Sequence, residues 1–141
     1  MAEYDSGLEA ARREAMAQWC ARWSAHDAQG VRSLFTDRFA YEDVPTHRVS
    51  RTTDEFVTFA REIFAAASDV RYDIQAAFLA DERGCAEWTM QGTNDGALHG
   101  APATHRQFRL KGVSVFEFEG EKIARCSDYW CLATLIGQLQ D

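Results

Sequence analysis

The sequence predicts an α+β fold in which three amphipathic helices lie on the concave face of a curved antiparallel sheet and close a cone with an open mouth. Three observations lead there. Apolar residues recur at helical spacing through the first half of the chain, the period changes to two at Val70, and short turns join the strands that follow. Helices first and strands afterwards argue against alternating βαβ winding. The 141 residues fit one domain, spanning 1–141.

Ser6-Gly7-Leu8-Glu9 has capping-box spacing, and Leu8, Ala11, Ala15, Trp19 and Trp23 form the stripe of a first helix. Asp27 is placed to cap a short second helix carrying Val31, Leu34 and Phe35. Phe39 to Glu42 reads as a short strand ended by the turn at Pro45. Thr52-Thr53-Asp54-Glu55 is another capping box, followed by Phe56, Phe59, Ile63, Phe64 and Ala67 on one face of a third helix. Alternation then marks strands over 70–80, 85–93, 106–118 and 122–130, with turns at Asp81–Gly84 and Glu119–Glu121. Asn94 to Thr104, with two Gly and one Pro, is a loop, and Leu132, Leu135, Ile136 and Leu139 suggest a terminal helix.

Composition excludes several classes. A net charge of -7 with no basic cluster argues against nucleic acid. The opening segment MAEYDSGLEAARREAM has acids and arginines where a secretory leader would be apolar, and no run approaches a membrane span. A cytoplasmic protein without a membrane partner is expected. Cys20, Cys85, Cys126 and Cys131 show neither CxxC nor metal-ligand spacing with His, so they read as reduced core thiols, and no metal site is implied.

Several segments carry a family likeness. Trp23 to Gly30, Phe39-Ala40-Tyr41-Glu42-Asp43-Val44-Pro45, and Trp88-Thr89-Met90-Gln91-Gly92-Thr93 with Gly96, Gly100 and Pro102-Ala103-Thr104 resemble the SnoaL-like polyketide cyclases. Lys111 to Phe116 and Lys122 to Trp130 extend the match over nearly the whole chain from Ala17 onward. The resemblance implies an NTF2-like cone around one apolar pocket. It also implies a catalytic aspartate at Asp128 and aldol-type ring closure or isomerisation of a hydrophobic carbonyl substrate.

The residues themselves point the same way. Strand parity groups Ala124, Cys126, Asp128 and Trp130 on one face, opposite Ile123, Arg125, Ser127 and Tyr129. If the first set faces the hollow, desolvation raises the Asp128 pKa and suits it to acid/base work near neutrality, with no cofactor required. Tyr41, Asp43 and His47 are candidate substrate contacts at the mouth, and Trp88, Met90, Ser114, Phe116 and Trp130 are candidate wall residues. For each, a purely structural role competes. Arg109 and Arg125 fall on the outer parity, which disfavours epoxide hydrolysis through an inward arginine.

Two alternatives stay open. A non-catalytic ligand-binding domain is favoured by Ser114 and Cys131, which are poor proton-transfer groups. A ketosteroid-isomerase-like enzyme would use Tyr41 as its oxyanion donor. Val113, Val115 and Tyr129 leave the outer sheet face partly apolar, and predict a homodimer through it.

Overall fold

Residues 5–140 are described in a computed structural model of the chain. Residues 1–4 of the segment read for a leader lie outside them. Helix α1 (Ser6–Ser24) is capped by Asp5, whose side chain accepts the Leu8 N–H, so the cap is one residue earlier than the Ser6 box. Asp27 caps α2 (Ala28–Arg32) through Gly30 N–H. Helix α3 (Thr53–Ala66) begins with the expected box, Thr52 receiving Glu55 N–H while the Glu55 carboxylate takes Thr52 N–H.

Six strands form one sheet: β1 (Phe35–Asp43), β2 (Arg48–Ser50), β3 (Arg71–Ala80), β4 (Arg83–Thr93), β5 (Gln107–Glu119) and β6 (Lys122–Trp130), ordered β2-β1-β6-β5-β4-β3. The run β3 to β6 is the expected antiparallel meander. Strand β1 adds to its far edge in parallel with β6, so the sheet is mixed. Phe35 belongs to this strand and not to α2, because the polar Thr36-Asp37-Arg38 interrupts the alternation that would have marked β1 at full length. Helix α4 (Leu132–Leu139) folds back on β5, where the Gln138 amide exchanges hydrogen bonds with the Arg109 backbone.

Two bulges correct the strict parity read from sequence. In β6, Phe118 pairs with Ile123 and Glu117 with Arg125, leaving Ala124 as the extra residue. Ile123 is thereby turned inside and fully buried, while Cys126, Asp128 and Trp130 keep the inward phase. In β3 the register shifts between Ile74 and Ala76, so Phe78 turns outward and is 58% exposed. Each bulge bends its strand and sharpens the local twist, which helps the sheet curl around its contents.

The core fills the narrow end of the cone. Trp19 and Trp23 on α1 are fully buried among aromatic rings from β1, α3, β3, β4 and β5. Edge-to-face pairs such as Trp19–Phe116 at 5.5 Å hold these rings at fixed angles, each worth about 1 kcal/mol beyond area burial. Cys20 and Cys126 are buried, Cys85 is half-buried, and Cys131 is exposed rather than a core thiol, because it is the N-terminal boundary residue of α4. All four are unpaired. Among the described residues no helix is long and apolar enough to cross a membrane.

Gly112 on β5 pairs with Trp88 on β4, and a Cβ at Gly112 would lie 2.3 Å from the indole. Gly112→Ala is therefore expected to displace Trp88 and destabilise the fold by roughly 1–3 kcal/mol. Urea unfolding midpoints would measure this; a loss below about 0.5 kcal/mol would mean the indole has room to move.

Candidate active site

Sheet, helices and the 94–106 loop enclose a cavity of about 290 Å³. Its walls are mostly apolar, with Trp23 from α1, Phe59 and Ile63 from α3, Tyr72 from β3, Trp88 from β4 and Leu135 from α4 among them. Leu98 and His99 reach it from the loop, which Asn94 braces: its amide donates to Ala66 and Gly96 carbonyls and its oxygen accepts from Thr104. At the rim Arg48 forms an ion pair with Glu62.

Besides Glu62 at the rim, two buried carboxylates face this cavity. Asp43 ends β1 and Asp128 lies near the end of β6, and the parallel register sets them side by side. They are 6% and 8% exposed, so both are largely withdrawn from water. Asp128 is held from behind: Oδ2 accepts the Tyr41 hydroxyl at 2.7 Å, and Oδ1 accepts the Ser114 hydroxyl at 2.6 Å. The Cys126 thiol adds a longer contact to Oδ1 at 3.4 Å. These donors are themselves aimed, since the Trp19 indole N–H donates to Tyr41 at 3.2 Å and that of Trp88 to Ser114 at 2.9 Å. Asp43 accepts the Trp130 indole N–H at 2.6 Å and the Thr46 hydroxyl.

Burial dominates the electrostatics. It pushes the Asp128 carboxyl from the ordinary 3.8 up to about 7, assisted by the charge of Asp43 and opposed by the Ser114, Tyr41 and Cys126 hydrogen bonds. Burial also raises Asp43, against the pull of Thr46, Trp130, His99 and Arg48. A carboxyl poised near neutrality exists in both protonation states at working pH, which is what a proton shuttle needs. An ionised carboxylate offers about four acceptor positions. Tyr41, Ser114 and Cys126 occupy three of them, leaving the second position on Oδ2.

Of the residues singled out in the sequence, Asp128, Asp43, Trp88, Met90 and Trp130 line the cavity. Tyr41 and Ser114 do not reach it; they stand directly behind Asp128. Phe116 is fully buried against Trp19 and is core rather than wall. His47 is exposed and outside the wall, because it takes a left-handed conformation (φ 56°) where the chain turns from the Val44–Thr46 turn into β2. Arg125 stays on the outer face, paired with Glu42, and the cavity's arginine, Arg48, is engaged by Glu62. Tyr72 was missed. It faces Met90 across the β3–β4 hairpin, and counting back from the Asp81–Gly84 turn would have set it opposite Gln91, one residue off, because of the bulge between Ile74 and Ala76.

A curved sheet closed by helices over a mostly apolar cavity with buried carboxylates defines the class: an NTF2-like cone. The chain belongs to the SnoaL-like polyketide cyclase family, whose pattern matches residues 13–139. A candidate SnoaL-like polyketide cyclase from Jannaschia sp. CCS1 superposes with a TM-score of 0.87 over 98% of this chain and 97% of its own, at 11% identity. For a candidate polyketide cyclase from Silicibacter sp. TM1040 the values are 0.81, 93%, 96% and 18%. A protein of ketosteroid isomerase-like fold from Catenulispora acidiphila, solved with trimethylamine, gives 0.76, 89%, 91% and 21%. At these identities the likeness carries the fold alone. No curated protein sequence matches the chain.

The Asp128 shift has a consequence for stability. The unfolded chain releases this proton near pH 3.9, the folded chain near 7. Between those values the native state binds more protons, so stability falls as pH rises, by up to roughly 4 kcal/mol, and the cost is full above 7. Asp128→Asn is expected to lose that slope and to gain stability relative to the parent at about pH 8 but not at about pH 4. Parallel stability–pH curves for the two proteins would show that Asp128 is not poised.

Proposed function

We propose that the protein is an acid/base enzyme of the SnoaL-like kind, acting without a cofactor on a hydrophobic, carbonyl-bearing small molecule held in the cone. The observation that carries this reading is Asp128: a carboxyl in a mostly apolar cavity, with two hydroxyl donors behind it and, among the described residues, no Lys, Arg or His paired with it. In ionised form it takes a proton from the carbon next to the substrate carbonyl through the open position on Oδ2. The C–H electron pair moves into a C=C bond and the carbonyl oxygen becomes an enolate. Return of the proton to another carbon completes an isomerisation; attack of the enolate carbon on a second carbonyl completes ring closure, with the proton delivered to the new alkoxide. Apolar walls hold a flexible substrate in a reactive fold, which is where most of the ring-closure advantage arises.

That a protein of this ketosteroid isomerase-like fold was solved in complex with trimethylamine supports small organic ligands for such folds. The partner on the outer sheet face is a second copy of this chain, docked over the 47% exposed Tyr129 beside Val113 and Val115. Localisation in the cytoplasm and a single domain over 1–141 complete the proposal.

Proton abstraction is tested with 2-tetralone, an enolisable apolar ketone, in D₂O. The wild-type protein is expected to speed deuterium uptake at the α-carbon, increasingly as Asp128 ionises through about pH 7, and Asp128→Asn to lower that rate by about 10²-fold or more. Equal rates with and without the carboxylate, alongside intact binding of the ketone, would leave a ligand-binding domain instead. Sedimentation of the wild type and Tyr129→Glu should give a dimer and a monomer; a monomeric wild type refutes the interface.

A further inference from the structure

The acid/base reading requires a hydrogen-bond donor for the oxygen that gains charge, and Tyr41 does not supply it. Its hydroxyl is committed to Asp128. The other donors near the cavity are engaged as well. Trp88 donates to Ser114, Trp130 and Thr46 to Asp43, Asn94 to two backbone carbonyls, and Arg48 to Glu62. The Trp23 indole N–H lacks a partner but is sealed by its own burial, with no accessible surface for a ligand to approach. His99 sits exposed on the loop at the rim.

Tyr72 differs from all of these. It lines the cavity, it is 8% exposed, and among the described residues no protein group bonds its hydroxyl, which still retains accessible surface. A withdrawn hydroxyl without a partner is uncommon, because its desolvation costs about 1–3 kcal/mol when nothing replaces the lost water. The residue is also fixed in place. Its backbone N–H donates to the Ser24 hydroxyl and its carbonyl accepts from Ser24 and Cys20 at the end of α1. Its ring is clamped by Trp19, Trp23 and Trp88 at centroid separations of 6.1, 5.7 and 5.6 Å. A rigid donor in a mostly apolar cavity that also holds the base is the arrangement that stabilises developing negative charge without reorganisation.

We propose that the Tyr72 hydroxyl is the oxyanion donor of this site, binding the carbonyl oxygen of the substrate while Asp128 moves the proton on carbon. The inference rests on the acid/base reading and deepens it, assigning to Tyr72 the role that sequence reasoning gave to Tyr41. No proton leaves the phenol: the electron pair of the broken C–H bond forms the C=C bond, the C=O π pair moves onto the carbonyl oxygen, which then accepts a stronger hydrogen bond, and the proton resides on Asp128 until it is returned. Burial and the charges of Asp128 and Asp43 hold the phenol well above its usual pKa of 10, so it remains a donor throughout.

Tyr72→Phe removes one oxygen and leaves the ring contacts. With 2-tetralone it is expected to lower the kcat of α-deuterium uptake by about 10²–10³-fold with a far smaller change in KM. 2-Naphthol, a planar enol analogue of that ketone, serves as a second probe independent of turnover. Its affinity, read by fluorescence, should fall at least tenfold in Tyr72→Phe, by about 1.4 kcal/mol, while the thermal midpoint of the protein stays within a few degrees. Unchanged kcat in Tyr72→Phe together with a loss in Asp128→Asn would overturn the Tyr72 role and leave the acid/base reading standing. If neither variant alters exchange, the acid/base reading fails, and 2-naphthol affinity then decides whether Tyr72 is a ligand donor. Equal affinity in wild type and Tyr72→Phe would sink it.

Discussion

A carboxyl withdrawn from water without a compensating cation is costly, and the centre of this protein is organised around making that tolerable for Asp128. Two hydroxyls satisfy its oxygens, and two indoles on separate elements aim those hydroxyls. The resulting chain of donors ties α1, β1, β4, β5 and β6 to one group. Replacing the carboxyl by an apolar side chain would relieve the desolvation but leave Tyr41 and Ser114 unpaired in the core. The network stabilises the acid enough to keep it buried and not enough to keep it fully ionised, which is why its pKa settles near neutrality rather than at either extreme.

Much of this was legible in the residues, and the rest was hidden for identifiable reasons. Capping chemistry located α2 and α3, and alternation located the four-strand meander, because both signals are local. The long β1 and its parallel seat beside β6 were not, since parallel pairing leaves no turn between partners to read. Yet that pairing is what sets Asp43 beside Asp128. Parity gave the inward phase of Asp128 while misplacing Ile123, because one extra residue in a strand reverses every side chain beyond it.

The site shows the same division. Trp88, Met90 and Trp130 were found as apolar residues on inward strand faces and do line the cavity. Phe116 satisfied the same rule and is core, because Trp19 of α1 packs edge-on against it. Tyr41 and Tyr72 are indistinguishable by composition or pattern, both being inward tyrosines on strands. Only the hydrogen-bond inventory separates them, one hydroxyl engaged by a carboxylate and the other open.

The contact between Gly112 and Trp88 has a wider implication. The indole occupies volume that any side chain on the neighbouring strand would claim, so the two positions share one space across two strands. Bulk moved from one to the other would relocate part of the cavity wall while total packing stays nearly constant. A large residue at 112 facing a small one at 88 would therefore reshape the chamber from the β5 side and admit molecules of another outline, on an unchanged backbone.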